Sequence, residues 1–331
     1  MKKIIIPFLI LAVVFAFNGI GQAEGNIAVV YATGGLGDQS FNDSAHRGLQ
    51  RAEEELGISF NYAEPGAVSE YQNYLRQFSA TGQYDLIISI GFDQADALSS
   101  VSSQFPDQKY AIVDAVVNKD NVASYVYREK ERGFLMGAIS AMMTTRSEEN
   151  DMINPQKVIG VVGGMDIPLI EANIAGFMAG AKYIEPNLEV LHSYVGDWAD
   201  PSKAKEMTIS MYEKDADIVW GAAGRSGLGV IQAAQENDFY AIGSDSDQGH
   251  VAPDHVLTNG MKYVNNTVYL AVEQVLNDEF EAGIHSLGVE EGGLGFTESL
   301  LPEKVLQRME AVKANIVSGN VDIPAKIENV K

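Results

Sequence analysis

From residue 26 onward, short runs of aliphatic and β-branched residues alternate with stretches in which apolar positions recur every three or four residues. The runs NIAVVYA, ISFNYA, YDLIISIG, KYAIVD and ASYVY predict strands, with amphipathic helices between most of them. A further helix is expected at ERGFLMGAISAMMT, where Gly133 and Gly137 leave room for a close neighbour, and TRSEENDMINPQ then forms a polar break. A second series follows: KVIGVVGG, LEVLHSYVG, DIVWGAAG and FYAIGSD, again with helices between. Strand–helix alternation of this kind predicts an α/β fold, with two doubly wound, Rossmann-like lobes of parallel sheet. The turns GGLGDQSFND, IGFDQAD, VDAVVN, GGMDIP, GAAGRSG and GSDSDQ follow the strands and should converge on one crevice, where open α/β sheets bind ligands. VLTNGMKYV is expected to cross back to the first lobe, and HSLGVEEGGLGF with PEKVLQRMEAVKANIV to return to the second. The expected boundaries are therefore residues 24–128 with 254–280 for the N-terminal lobe, and 129–253 with 281–331 for the C-terminal lobe.

The start of the chain has a different pattern. Two lysines precede the 14-residue apolar run IIIPFLILAVVFAF, and Gly21 and Ala23 follow at a spacing suited to cleavage. The run is shorter than the roughly 20 residues a spanning helix needs, so residues 1–23 are expected to be a secretory signal peptide. The remainder, of the 331 residues, has room for about two domains. The sequence has no cysteine, which excludes disulfides, a thiolate metal site, a cysteine nucleophile and attachment through a lipidated cysteine. The expected product is periplasmic or extracellular, soluble after cleavage and not lipid-anchored through cysteine. Formal net charge is −22, and −24 once the two lysines of the signal segment are gone. Such a surface repels nucleic acid and anionic lipid.

Motifs narrow the chemistry. The turn at residues 31–50, YATGGLGDQSFNDSAHRGLQ, looks like a phosphate-binding loop opening a helix, but the third glycine of a dinucleotide fingerprint falls on Ser40 and Asp38 sits where a phosphate would lie. GRSGLG lacks the spacing of a serine-hydrolase elbow, and none of the five histidines forms an HExxH pair. Asp245, Asp247 and His250 suggest a metal site, but a calcium loop starting at Asp245 would need glycine at His250 and glutamate at Val256. Neither a metal nor a cofactor is expected. The turns do offer contacts for a neutral ligand. Phe41 supplies an aromatic face, Asn42, Asp93, Asp114 and Asp245 supply polar groups at strand ends, and Lys262 supplies a cation. Each would serve equally well as a core or capping residue taken singly.

Several segments together, GGLGDQSFNDSAHRG, KYAIVD, YREKERGFLMGAISAMM, AGFMAGAKYI, GAAGRSGLGVIQAAQE and GSDSDQGHVAPDHVLTNGMK, resemble the basic membrane protein family of ABC-importer solute receptors, whose best-known members bind purine nucleosides. The resemblance runs in order over nearly the whole chain after residue 23. It implies a type I periplasmic binding protein with three crossings between lobes and a central cleft. It also implies that Phe41 stacks on a base, that Asp114 faces the base or hydrogen-bonds nearby, and that Asp245 and Lys262 grip ribose hydroxyls, with Gly224 and Gly227 letting the backbone approach. Two positions depart from the purine receptors: Ala32 stands where an aspartate is common, and Asn173 where an aromatic is common. The base preference is therefore expected to be displaced from the common purines.

The function expected is that of a receptor, not an enzyme, which captures a nucleoside or related ribose-bearing solute and delivers it to an ABC transporter permease. It is expected to act as a monomer and not to bind nucleic acid. The readings of a different class are a secreted enzyme that cleaves nucleosides or modifies sugars, using Asp245, Asp247 and His250, and a sensor's soluble partner.

Overall fold

The structure, a computed structural model, describes residues 25–331, and the expected signal peptide lies outside the described residues. Along the first series run β1 (Asn26–Val30), α1 (Phe41–Leu56), β2 (Ser59–Ala63), α2 (Tyr71–Thr81), β3 (Leu86–Ile90), α3 (Ala95–Ser102), β4 (Tyr110–Val113) and β5 (Val122–Tyr127). The second series is α4 (Glu129–Thr144), β6 (Val158–Gly163), α5 (Pro168–Ile184), β7 (Glu189–Tyr194), α6 (Pro201–Tyr212), β8 (Ala216–Ala222), α7 (Gly227–Asn237), β9 (Tyr240–Asp245) and β10 (Val256–Lys262). The chain ends with α8 (Val264–Leu276), β11 (Gly283–Leu287), β12 (Leu294–Phe296) and α9 (Glu303–Val317).

Two six-stranded sheets result, ordered β11-β5-β4-β3-β1-β2 and β12-β10-β9-β8-β6-β7. All pairings in the first are parallel, and in the second only the short β12 runs antiparallel. Near-continuous aliphatic runs are what strands covered on both faces require. Leu86–Ile90 and Val158–Gly163 are accordingly buried throughout. Both sheets share one winding order about a switch point, β1/β3 in one and β6/β8 in the other, so the loops beyond those strand ends form a crevice.

The crossings fall later than the sequence suggests. β10 pairs with β9 and belongs to the second sheet, and the chain leaves for α8, which packs on α1, only after Lys262. β11 pairs with β5 in the first sheet, and the return comes between Leu287 and Leu294. Residues 256–262 therefore lie in the second lobe and 283–287 in the first, opposite to the expected boundaries. Strand pairing decides the matter: VLTNGMK is buried almost throughout, as an inner strand is, and its neighbours supply its hydrogen bonds.

Helices α4 and α5 meet at backbone distance. A Cβ on Gly133 would lie 2.0 Å from the Asn173 carbonyl oxygen, and one on Gly176 or Gly180 would lie 2.1 Å from the carbonyl of Lys130 or Phe134. Four glycines, paired at i,i+4 spacing on each helix, thus set the separation that carries the head of α4 to the crevice. Gly176→Ala should cost about 3 kcal/mol, at the upper end of overpacking penalties. Gly66→Ala, where the nearest atom is a flexible Glu70 oxygen at 3.8 Å, should stay within about 0.5 kcal/mol of the native protein. Denaturant unfolding of the two variants checks the contrast.

Candidate functional site

The switch-point loops enclose a cavity with about 670 Å³ of empty space, counted out to its mouth. Its first-lobe wall comes from Ala32, Thr33 and Gly34 after β1, Phe41 and Asn42 opening α1, and Gly91, Phe92 and Asp93 after β3. The second lobe contributes Leu169 and Ile170 opening α5, Trp198 after β7, and Ala222–Arg225 after β8. Its floor is charged: Asp114, Arg132, Asp245 and Lys262.

The glycine turn does not present free amides. Asp38 accepts from the N–H groups of Ser40, Asn42 and Asp43 at 2.8–3.1 Å, and Asp43 accepts from those of Gly37 and Gln39 at 2.8 and 2.9 Å. An internal carboxylate thus fills the place an anion would take at the head of α1. Burial pushes the Asp38 carboxyl up to about 6 despite those hydrogen bonds. Asn42 likewise spends its amide on the turn, accepting from Ala32 N–H at 3.0 Å and donating to the Gly35 carbonyl at 3.1 Å.

On the floor, Asp114 and Asp245 end strands β4 and β9 in left-handed backbone, φ 69° and 65°. That conformation, tolerated by aspartate, turns both carboxylates off the sheet. Lys262, ending β10, lies 2.7 Å from Asp114 Oδ2 and 2.5 Å from Glu129 Oε1. Arg132, one turn into α4, pairs with Glu129 at 2.9 Å and with Asp245 Oδ1, and its Nε donates to Asn173 Oδ1 at 3.0 Å. Ser40 donates to Asp245 Oδ2 at 2.6 Å from the opposite lobe. Three carboxylates thus surround two cations, leaving a formal charge of −1, and all five side chains are below a tenth exposed.

Each shift follows from these partners. Burial raises the Asp245 carboxyl, but Arg132, Lys262 and the Ser40 hydroxyl bring it below its ordinary value. Glu129 is lowered in the same way: burial opposes, and Arg132 and Lys262 prevail. Burial dominates for Asp114, raised to about 6 although Lys262 pulls it down. Its Oδ1 is buried without a hydrogen-bond partner among the described residues. The Glu129 oxygens sit at ion-pair distance but off the direction a hydrogen bond needs.

Of the residues the sequence pointed to, Ala32, Phe41, Asn42, Asp93, Asp114, Gly224, Asp245 and Lys262 line the cavity. Asn173 and Gly227 do not. Asn173 is buried and holds Arg132, whereas Gly227 packs on β8, where a Cβ would lie 3.2 Å from the Gly221 carbonyl oxygen. Sequence reasoning missed Glu129, Arg132, Trp198, Phe92 and Arg225. The second aromatic wall, sought at position 173, comes instead from Trp198, whose ring lies 6.5 Å from that of Phe92 across the cleft. Lys262 Nζ sits 5.2 Å from the centre of the Phe41 ring. The trio Asp245, Asp247 and His250 does not assemble: Asp247 accepts from Gly249 N–H and Asn259 Nδ2, while His250 Nε2 pairs with Gln39. Among the described residues no group of histidines and acids could hold a metal ion.

The lobes are closed on each other. Besides the Ser40 bond, Ser246 donates to the Ser40 carbonyl at 2.9 Å, Arg47 to Ser246 Oγ at 2.5 Å, and Arg225 Nη2 to the Leu36 carbonyl at 2.7 Å.

Comparison with known proteins places this cleft in context. The family model "Bmp: ABC transporter substrate-binding protein PnrA-like" matches residues 26–327. Basic membrane protein B of Borrelia garinii is 31% identical over 96% of this chain and 93% of its own. An uncharacterized lipoprotein of Pyrococcus furiosus is 32% identical over 89% of this chain and 78% of its own. A crystal structure of an ABC transporter system solute-binding protein from Aeropyrum pernix superposes with a TM-score of 0.83 at 30% identity, covering 91% of this chain and 93% of that one. One expectation is corrected here. A product free of a lipid anchor does not stand against relatives named lipoproteins, from Pyrococcus furiosus and two further Pyrococcus species. The inference rested on the missing cysteine, which removes one mode of attachment and not attachment as such.

With the α1 amides already satisfied, millimolar inorganic phosphate should leave the melting temperature unchanged. Asp38→Ala should lower stability by about 1–2 kcal/mol, as lost N-caps do. Thermal and denaturant melts with and without phosphate check both.

Proposed function

The chain belongs to the Bmp family, PnrA-like ABC transporter substrate-binding proteins, and from that premise we propose that its cleft captures a ribonucleoside, which an ABC permease then takes up. The observation that carries the reading is the cavity's two-part construction, with aromatic faces from both lobes standing over a buried, internally paired charge cluster. A planar base suits Phe41 and Trp198, since offset or edge contacts with aromatic rings add to the area they bury. A neutral, hydroxyl-rich sugar suits the floor. Vicinal hydroxyls donate to carboxylates already held ionised, and the Lys262 ammonium can donate to a third oxygen.

Asp114 Oδ1 supports the reading further. A buried carboxylate oxygen without a partner costs about 1–3 kcal/mol, and a ligand N–H or O–H donor would remove that cost. The charged residues of the wall are Asp38, whose carboxylate is spent on the α1 amides, Asp93 and Arg225, and burial raises the Asp93 carboxyl against the pull of the Tyr71 hydroxyl at 3.0 Å. Ala32 still supports a preference displaced from purines, because no carboxylate stands there, while the argument from Asn173 lapses with its place outside the cavity.

Calorimetry with a nucleoside panel tests the assignment. Ribonucleosides should bind at about micromolar or tighter, and 2′-deoxy analogues at least tenfold more weakly. Asp245→Asn, which keeps an acceptor for Ser40 and removes the charge, should weaken ribonucleosides by roughly 10- to 100-fold, the worth of one charge-assisted hydrogen bond, and leave the deoxy analogue nearly unchanged. Equal affinity for both sugars in the native chain would overturn the diol grip.

The binding should also depend on pH in a stated direction. Burial raises the Asp114 carboxyl to about 6 in the free protein, and a ligand donor favours the ionised form, lowering that value in the complex. Affinity is therefore full above about pH 6 and declines as Asp114 protonates below it. Calorimetry at about pH 5 and about pH 7.5, either side of that value, should give weaker binding at the lower pH for the native chain and no such difference for Asp114→Asn.

A further inference from the structure

Arg132 and Lys262 each touch two carboxylates, whereas Arg225, the third cation lining the cavity, pairs with no acid among the described residues. A guanidinium carries five donors, and Arg225 spends one, Nη2, on the Leu36 carbonyl at 2.7 Å. Its other nitrogens make no hydrogen bond among the described residues, and the side chain lines the cavity. In a chain with 45 acids against 23 basic residues, an unpaired cation beside a ligand cavity is unusual enough to require a reason. Its placement is fixed by Gly224, whose left-handed backbone, φ 57°, directs the chain past Trp198 and into the cleft. A Cβ on Gly224 would lie 3.5 Å from that indole ring. Arg225 therefore follows directly on the residue packed against the Trp198 indole, and it reaches across to the first lobe at Leu36.

We propose that Arg225 is a specificity residue that donates to an exocyclic carbonyl oxygen on the base, so that the cleft selects oxo-base nucleosides over bases lacking that oxygen. The inference rests on the nucleoside reading and goes beyond it in naming the base chemistry. A carbonyl oxygen fits the remaining guanidinium donors without bringing a second charge into a cavity whose walls and floor already hold Asp93, Asp114 and Asp245. Because the same side chain also holds the Leu36 carbonyl, the oxo-base contact would form on the group that joins the two lobes at the mouth. Arg225 itself is half-buried at the rim, so its replacement leaves the core untouched.

The test is calorimetry on the full chain with inosine and with purine riboside, which lacks the 6-oxygen, for the native protein, Arg225→Gln and Arg225→Lys. Gln keeps a donor for Leu36, and Lys keeps the charge. The native chain should bind inosine at least tenfold tighter than purine riboside. Arg225→Gln should abolish that ratio by weakening inosine alone, with melting temperature unchanged, and Arg225→Lys should fall between. Equal weakening of both ligands would reduce Arg225 to a contact between lobes and overturn the inference while leaving the nucleoside reading standing. Inosine 5′-monophosphate binding tighter than inosine, with the gain lost in Arg225→Gln, would assign the guanidinium to a phosphate and overturn it as well. Failure of the native chain to bind inosine would overturn the inference, and failure to bind any ribonucleoside of the panel would overturn the nucleoside reading with it.

Discussion

The buried arrangement Asp114–Lys262–Glu129–Arg132–Asp245 is the constraint on which the rest depends. Charges removed from water cost several kcal/mol each unless every one is paired, and here the pairs join separate pieces of the chain. Asp114 comes from the first sheet, Asp245 and Lys262 from the second, and Glu129 and Arg132 from the head of α4, where the chain first crosses between lobes. Ser40 adds a first-lobe hydroxyl to the Asp245 carboxylate. With the lobes closed every charge of the cluster has an ion-pair partner, Asp114 Oδ1 is left for a ligand donor, and that same closure completes the ligand cavity. A second set of ion pairs secures the hinge from outside. Arg128, at the end of the first crossing, reaches Glu131 at 2.5 Å and, through two nitrogens, Glu291 in the third.

How much of this was readable in the chain depends on whether a residue's role is local. Strand–helix alternation is local, so the two doubly wound sheets and the crevice at their switch points follow from patterning alone, and so do the aspartates and the lysine placed at strand ends. The crossings were misplaced because β10 and β11 are assigned by what they pair with, β9 and β5, and pairing partners are not written in a segment's own pattern. Glu129 and Arg132 escaped notice for a similar reason. In YREKERGFLMG they read as the polar first turn of a helix, and only the close α4–α5 contact, set by Gly133, Gly137, Gly176 and Gly180, turns that polar turn inward. Trp198 lies in a loop with no periodicity to mark it, and Asn173 has a helical pattern that gave no sign that it holds Arg132 rather than the ligand.

The glycine turn shows how a motif can keep its geometry and change its chemistry. Its backbone has the left-handed glycines of a phosphate loop, at Gly34, Gly35 and Gly37, and it opens a helix. The amides an anion would use are instead taken by Asp38 and Asp43, so the turn is rigid before any ligand arrives and offers Phe41 and the Leu36 carbonyl to the cleft. A neutral ligand is what such a turn can serve. That agrees with a floor whose cations are already paired and with a surface whose net charge repels anions.

The most direct measurement of the central claim is mass spectrometry of small molecules released by denaturing protein freshly purified from its native host. A closed cleft that captures ribonucleosides should release one at near-equal molar ratio to protein. Release of a free sugar, an amino acid or a peptide at that ratio, with no nucleoside, would contradict the account.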